Sequence, residues 1–188
     1  MIEKSGATCM DESQDPALVR EILSGDKDAF AAVVRRHGPG VHAFVRRMIP
    51  DPSLASDLSQ EVFIRAYTRL HTFDGSNSLK PWLYKIALNL VRDHLRRPDQ
   101  EQCPAGPELE DTAAPNPETA WLEKERALLL QRAMQRLAPE YSEALALRFF
   151  QEMSFVQVAE VLGIGQSAAK MRVYRGLEMM VEALGNDE

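Results

Sequence analysis

Cysteine is nearly absent: Cys9 and Cys103 stand alone in polar stretches, with no Cys-x-x-Cys or Cys/His spacing around either. Neither a disulfide framework nor a zinc site is expected from such a pattern. No apolar run approaches the roughly 18 to 20 residues that a membrane-crossing helix requires. The opening MIEKSGATCMDE lacks the apolar stretch of a secretory signal, so the protein is expected to stay in the cytoplasm. His-Glu-x-x-His, a Gly-rich phosphate loop and a nucleophile elbow are all missing, and the four His residues are scattered. The expectation is therefore no catalytic residue, metal, cofactor or small-molecule substrate. Strand-like alternation is missing too, which makes the expected fold class all-α.

What is present is apolar residue in quantity, 45% of the chain, enough to bury cores. The net charge of −6 argues at first against nucleic acid as a partner. Its distribution changes that argument. Residues 1–98 hold 14 Lys and Arg against 12 Asp and Glu, residues 99–120 hold six acids and no base, and residues 121–188 hold 8 bases against 10 acids. The acidic stretch overlaps a segment, 98–117, that has five of the 11 prolines and no apolar periodicity, the mark of an extended linker. We divide the chain into a flexible tail (1–14), a helical domain (15–97), the acidic Pro-rich linker (98–117) and a second helical domain (118–188). At about 3.3 Å per residue the linker reaches roughly 65 Å when fully stretched, somewhat under two turns of duplex DNA.

Helix signals place a first helix from Asp15-Pro16 to Gly25, a second over Asp28–His37, a third over Gly40–Ile49, and a long fourth capped by Ser53 and reaching about Leu70. Leu54, Leu58, Val62, Ala66 and Leu70 line one face of the fourth. A further helix starts at Pro81 and ends near Arg97. Beyond the linker, helices are expected over about 118–137, 139–150, 154–162 and 167–184, with Ser154-x-x-Gln157 as a capping box and Gly163 as a stop.

Two patterns carry chemistry. The run from Ser154 to Leu162, Gly163 and the helix from Ser167 have the spacing of a helix-turn-helix, with Ala159 small at the crossing; an ordinary αα-hairpin has the same outline. On its second helix, Ala169, Val173, Met180 and Leu184 gather on one side, leaving Lys170, Arg172 and Arg175 for phosphates or base edges. In the helix after Pro81, Trp82, Lys85, Asn89, Arg92 and Arg96 fall within one 80° arc. A ring, an amide and three cations on one surface suit single-stranded DNA, whose bases stack while its backbone follows positive charge. Trp82 serves equally well as core, and Arg92 equally well as the partner of a nearby carboxylate.

Asp57-Leu-Ser-Gln60-Glu61-Val-Phe63, then Trp82-Leu-Tyr-Lys85-Ile-Ala-Leu-Asn89-Leu-Val-Arg92-Asp93, resembles region 2 of the extracytoplasmic-function (ECF) sigma factors. Leu137-Ala-Pro139, Ala146-Leu-Arg148 and Ala159-Glu-Val-Leu-Gly163 resemble region 4 of the same family. The resemblance implies a factor that binds core RNA polymerase and directs promoter −10 and −35 recognition and DNA melting, without being an enzyme. It implies that Asp57, Gln60, Glu61 and Phe63 dock on the β′ coiled coil. It implies that Asp74, Ser76, Asn77 and Ser78, with Trp82, Lys85, Asn89, Arg92 and Arg96, hold the −10 element with a base flipped out. It implies that Ser167, Lys170, Arg172, Tyr174 and Arg175 meet the −35 duplex, and that an anti-sigma factor restrains the protein. The second half departs from the family pattern: Ala168 and Met171 replace hydroxyl residues and Leu177 replaces a cation. Those departures leave an alternative, a sigma-like decoy or adaptor that binds an anti-sigma factor without productive promoter binding.

Overall fold

The computed structural model describes residues 15–73, 78–96, 125 and 129–185, and every regular element among them is helical. The first module comprises α1 (Asp15–Leu23), α2 (Lys27–Met48), α3 (Pro52–Arg69), a short 3₁₀ turn (Leu70–Thr72) and α4 (Leu79–Leu95). The second comprises helical residues 129–136, α5 (Pro139–Leu145), a π-helical turn (Ala146–Phe150), α6 (Phe155–Leu162) and α7 (Gln166–Gly185). The linker 98–117 lies outside the described residues.

One helix, α2, covers the ground where the sequence predicts two, and Pro39 lies inside it. An interior proline costs about 3 kcal/mol, through a lost N–H donor and a clash with the preceding turn. Two local features reduce or offset that cost. Gly38 has no Cβ to meet the proline ring, and the helix buries Val33 and His37 before the proline and Val41, Phe44 and Val45 after it. Fully burying two such apolar side chains is worth about 3 to 6 kcal/mol. The start of α2 is fixed by Asp26, whose carboxylate accepts from the backbone N–H of Asp28 at 2.8 Å and of Ala29 at 3.3 Å.

The start of α3 is set by Asp51 rather than Ser53: its carboxylate accepts from the Leu54 N–H at 3.1 Å, with Pro52 at the first helical position. Its buried face is centred on Ala55, Ser59, Val62 and Ala66, so Leu54 and Leu58 are only half-buried. Likewise α4 begins at Leu79, two residues before Pro81, with Ser78 accepting from the Lys80 N–H at 3.4 Å.

In the second module the signals that bound α6 hold, while the helix expected over 139–150 passes into the π-helical turn at Ala146. Ser154 and Gln157 form the reciprocal capping box, at 3.3 and 2.9 Å, and Gly163 ends α6 in the left-handed region at φ 67°. α7 crosses α5 at Gly176, where a Cβ would sit 3.1 Å from Leu145 Cγ.

The two modules are in contact. α4 packs against α6, and α2 packs against the π-helical turn. Beside the inward residues Leu83, Ile86, Ala87 and Leu90, α4 therefore buries a second set, Tyr84, Leu88 and Val91.

Candidate nucleic-acid interface

The C-terminal half of α3, the 3₁₀ turn and the first three turns of α4 enclose a cleft of about 240 Å³, lined by Arg65, Arg69, Thr72, Trp82, Lys85, Ile86 and Asn89. Three of the predicted strand-binding residues, Trp82, Lys85 and Asn89, are thus brought together. Trp82 is half-buried: it packs at 5.5 Å on the buried Phe73 ring and still lines the cleft. Lys85 and Asn89 are exposed. Arg96 lies on the same arc two turns on, exposed and 4.0 Å from the Asp93 carboxylate.

Arg65 and Arg69 were missed. They sit one turn apart on α3 with Glu61, and that i, i+4 row was legible as a basic surface. What the sequence could not show is that it faces the α4 stripe across a groove.

Arg92 is drawn away from the cleft. Its Nε donates to Glu143 Oε1 at 2.9 Å and its Nη2 to Glu143 Oε2 at 2.6 Å, across the module boundary. Hydrogen bonding to Glu143 holds the guanidinium above its usual pKa. On the helix, Arg92 lies at the margin of the stripe nearest Leu88 and Val91, which is why the second module reaches it. Ser78 is spent on capping α4, while Asp74, Ser76 and Asn77 lie outside the described residues.

Asp57 and Gln60 are exposed on α3, and Glu61 pairs with Arg65 at 2.7 Å, one turn on. Phe63 does not belong with them. It is 8% exposed and turned toward the core, because it lies only about 60° from the line of Ser59, Val62 and Ala66 at 100° per residue. The apolar residue that shares the outer face is Ile64, 58% exposed.

On α7, Ser167, Lys170, Tyr174 and Arg175 are exposed along one face with Met171. Arg172 is set aside from them, half-buried beside α5 with its Nη2 3.5 Å from Glu140. At 100° per residue it borders the line of Ala169, Val173 and Gly176 that packs inward. Of the three departures from the family pattern, Ala168 and Met171 are exposed, whereas Leu177 is partly buried against the core. No group of His, Cys, Asp or Glu able to hold a metal ion occurs among the described residues, and no described helix is long and apolar enough to cross a membrane.

Comparison with known proteins covers both modules. The Sigma-70 region 2 family matches residues 33–101 and the Sigma-70, region 4 family matches residues 127–180. The chain is 35% identical over 167 residues to RNA polymerase sigma factor CarQ of Myxococcus xanthus, covering 87% of this chain and 94% of CarQ. It is 31% identical over 176 residues to ECF RNA polymerase sigma factor SigW of Bacillus subtilis (strain 168), covering 88% and 94%. Among solved structures it is similar to CnrH in complex with the cytosolic domain of CnrY, with a TM-score of 0.72 and 26% identity over 93% of this chain and 99% of that one. The sigma factor RpoE of Bartonella quintana, solved with the anti-sigma factor NepR, shares the fold at a TM-score of 0.69 and 21% identity, covering 87% of this chain and 100% of that one.

Proposed function

The chain belongs to the ECF sigma factors of the sigma-70 family, and on that premise we propose that it binds core RNA polymerase and delivers it to promoters by reading two DNA elements. The observation that carries this is the cleft between α3 and α4, which three cations and an amide line together with Trp82. Single-stranded DNA of the −10 element takes this cleft: a base stacks on Trp82 while Arg65, Arg69 and Lys85 follow the backbone. Arg96 extends the same path. Asp74, Ser76 and Asn77 remain candidates for the edge of an extruded base, a step that costs a few kcal/mol and needs a hydrogen-bonding pocket.

The −35 element takes the exposed face of α7 as duplex, with Lys170 and Arg175 as the cations and Ser167 and Tyr174 as polar partners. Asp57, Gln60 and Glu61, with Ile64 in place of Phe63, form the docking face for the β′ coiled coil of the polymerase. An acidic and amide-bearing helix face pairs there with basic side chains. An anti-sigma factor is the restraining partner that the family resemblance implies, and the similar CnrH is solved in complex with another protein segment, the cytosolic domain of CnrY. None of these roles makes or breaks a covalent bond in the factor itself.

Purified protein added to core polymerase and a genomic promoter library should start transcripts at a discrete set of sites. Transcription indistinguishable from core polymerase alone would reject the proposal and favour the decoy alternative.

A further inference from the structure

The outward face of α7 has an apolar side chain near its middle. Lys170 and Ala168 bound an exposed arc of roughly 160°, and Met171 lies about 20° from its centre at 100° per residue. Met171 is 55% exposed. Its neighbours on one flank are engaged with α6: Lys170 Nζ lies 5.7 Å from the centre of the Phe155 ring, and the Tyr174 ring 6.2 Å from it. On the other flank Arg175 is exposed, and beyond it Arg172 is occupied by Glu140 of α5. Three residues after Arg175 the exposed Glu178 brings a negative charge, so the stretch suited to a phosphate-lined groove is 167–175. Met171 stands in the second turn of α7, among the N-terminal residues with which a recognition helix contacts base edges.

A methionine there has no donor to offer, and its thioether is only a weak acceptor. Of the groups that base pairs show in the major groove, the one that favours an apolar side chain is the C5-methyl of thymine. Cytosine in the same place presents an amino donor, which an apolar neighbour strips of water without replacing the bond. Ala168, exposed one turn earlier, has the same character. Three helical residues rise about 4.5 Å, close to the roughly 3.4 Å between base pairs.

We propose that Met171, with Ala168 beside it, selects thymine in the −35 element through the C5-methyl groups of one or two adjacent T·A pairs. The inference rests on the duplex reading of α7 and gives that reading a base preference. The two positions that depart from the family pattern by losing a hydroxyl are then a change in what is read: hydrogen bonding is exchanged for methyl contact, and T is separated from C by attraction on one side and desolvation on the other. Lys170 and Arg175 supply charge to either flank, and Phe155 keeps the lysine to its own side.

The test assembles the full chain with core polymerase and selects duplexes from a random library. Each thymine of the enriched upstream element is then replaced singly by uracil, which keeps every hydrogen-bonding group and lacks only the methyl. One or two adjacent replacements should weaken binding about fourfold, the worth of one buried methyl-sized group. That penalty should vanish in Met171→Ser and persist in Met171→Leu, which restores an apolar side chain. Arg175→Ala should bind more weakly overall with the uracil penalty unchanged. All three positions are exposed, and circular dichroism checks that the variants fold. An enriched duplex indifferent to uracil, or a penalty equal in Met171→Ser and wild type, would overturn the thymine contact and leave the duplex reading standing. No enrichment of any upstream element would reject the duplex reading and the thymine contact with it.

Discussion

Gly40 of α2 lies directly beneath the hydroxyl of Tyr84 on α4, so close that a Cβ at position 40 would sit 2.6 Å from that oxygen and 3.3 Å from Gln151 Oε1. A glycine in a helix interior normally costs about 1 kcal/mol relative to alanine. Here it admits the tyrosine that ties the two modules. Burial pushes the Tyr84 phenol well above its usual pKa, against the opposing charge of Arg47, so the hydroxyl remains a donor at physiological pH.

Gly40→Ala should therefore destabilise the protein by about 1 to 3 kcal/mol, the usual cost of overpacking, despite the gain in helix propensity. In a Tyr84→Phe background the nearest obstacle is gone, and the same substitution should become neutral or stabilising. Urea unfolding of the four proteins measures this cycle. Equal effects in both backgrounds would mean that the close approach carries no energy.

Asp15 ties α1 to α2. Its side chain is buried, with Arg36 Nη1 at 2.7 Å from Oδ1 and His37 Nε2 at 3.3 Å from Oδ2. Burial alone raises its pKa, but hydrogen bonding and charge from His37, then Arg36, outweigh burial and hold the carboxyl below its ordinary 3.8. A carboxyl depressed on folding contributes stability that is complete above its unfolded pKa and is lost as pH falls through the folded value. Thermal unfolding followed from neutral pH into this acid range should show a declining limb that Asp15→Asn flattens. Asp15→Ala, which leaves Arg36 and His37 facing an empty site, should cost about 3 to 5 kcal/mol at neutral pH.

The sequence disclosed most of the helices because their ends carry local chemistry: Ser154 caps α6 where it is expected to, although the caps of α2 and α3 are Asp26 and Asp51 rather than an Asp28 start and a Ser53 cap. It misdirected at Pro39, where a local breaker loses to the burial of Val41 and Phe44 some residues away. The candidate site was half legible. Lys85 and Asn89 follow from period alone, whereas Arg65 and Arg69 enter it only because α3 packs beside α4. Arg92 could be placed on the arc but not assigned its partner, since Glu143 is 51 residues distant. Phe63 shows the opposite limit: a motif names a residue without saying whether it faces the partner or the core.

The cleft makes a salt-dependent prediction. Lys85→Ala and Arg69→Ala should each weaken single-strand binding and lower the slope of log affinity against log salt by about 0.7 per phosphate contact removed. Asn89→Ala should reduce affinity without changing that slope. Titration of a labelled oligonucleotide at several salt concentrations separates the two behaviours, and an unaltered slope in Arg69→Ala would exclude α3 from the strand path.

Asp57 is exposed at the start of the proposed docking face. Asp57→Arg should abolish co-purification with core polymerase and leave thermal stability within about 0.5 kcal/mol of wild type, as for an ordinary surface change. Ile64→Arg should act in the same direction, while Glu61→Gln should do less, because an exposed pair such as Glu61–Arg65 is worth little. Retention of polymerase by Asp57→Arg would move the docking face elsewhere.

The two arginines of α7 should behave differently, although the sequence treats them alike. Arg175 faces outward with Lys170 and Tyr174, and Arg175→Ala should cost about 1 to 3 kcal/mol of −35 duplex binding if it meets a base edge, with relaxed preference at that base. Arg172 is engaged with Glu140 across α5. Arg172→Ala should mainly loosen the α5–α7 packing, lowering the unfolding midpoint while leaving the preference among duplex sequences intact. Gel-shift competition with single-base variants of the −35 site, run beside thermal melts, distinguishes the two. A base-specific loss in Arg172→Ala with an unchanged melt would mean that Arg172 leaves Glu140 to reach the groove.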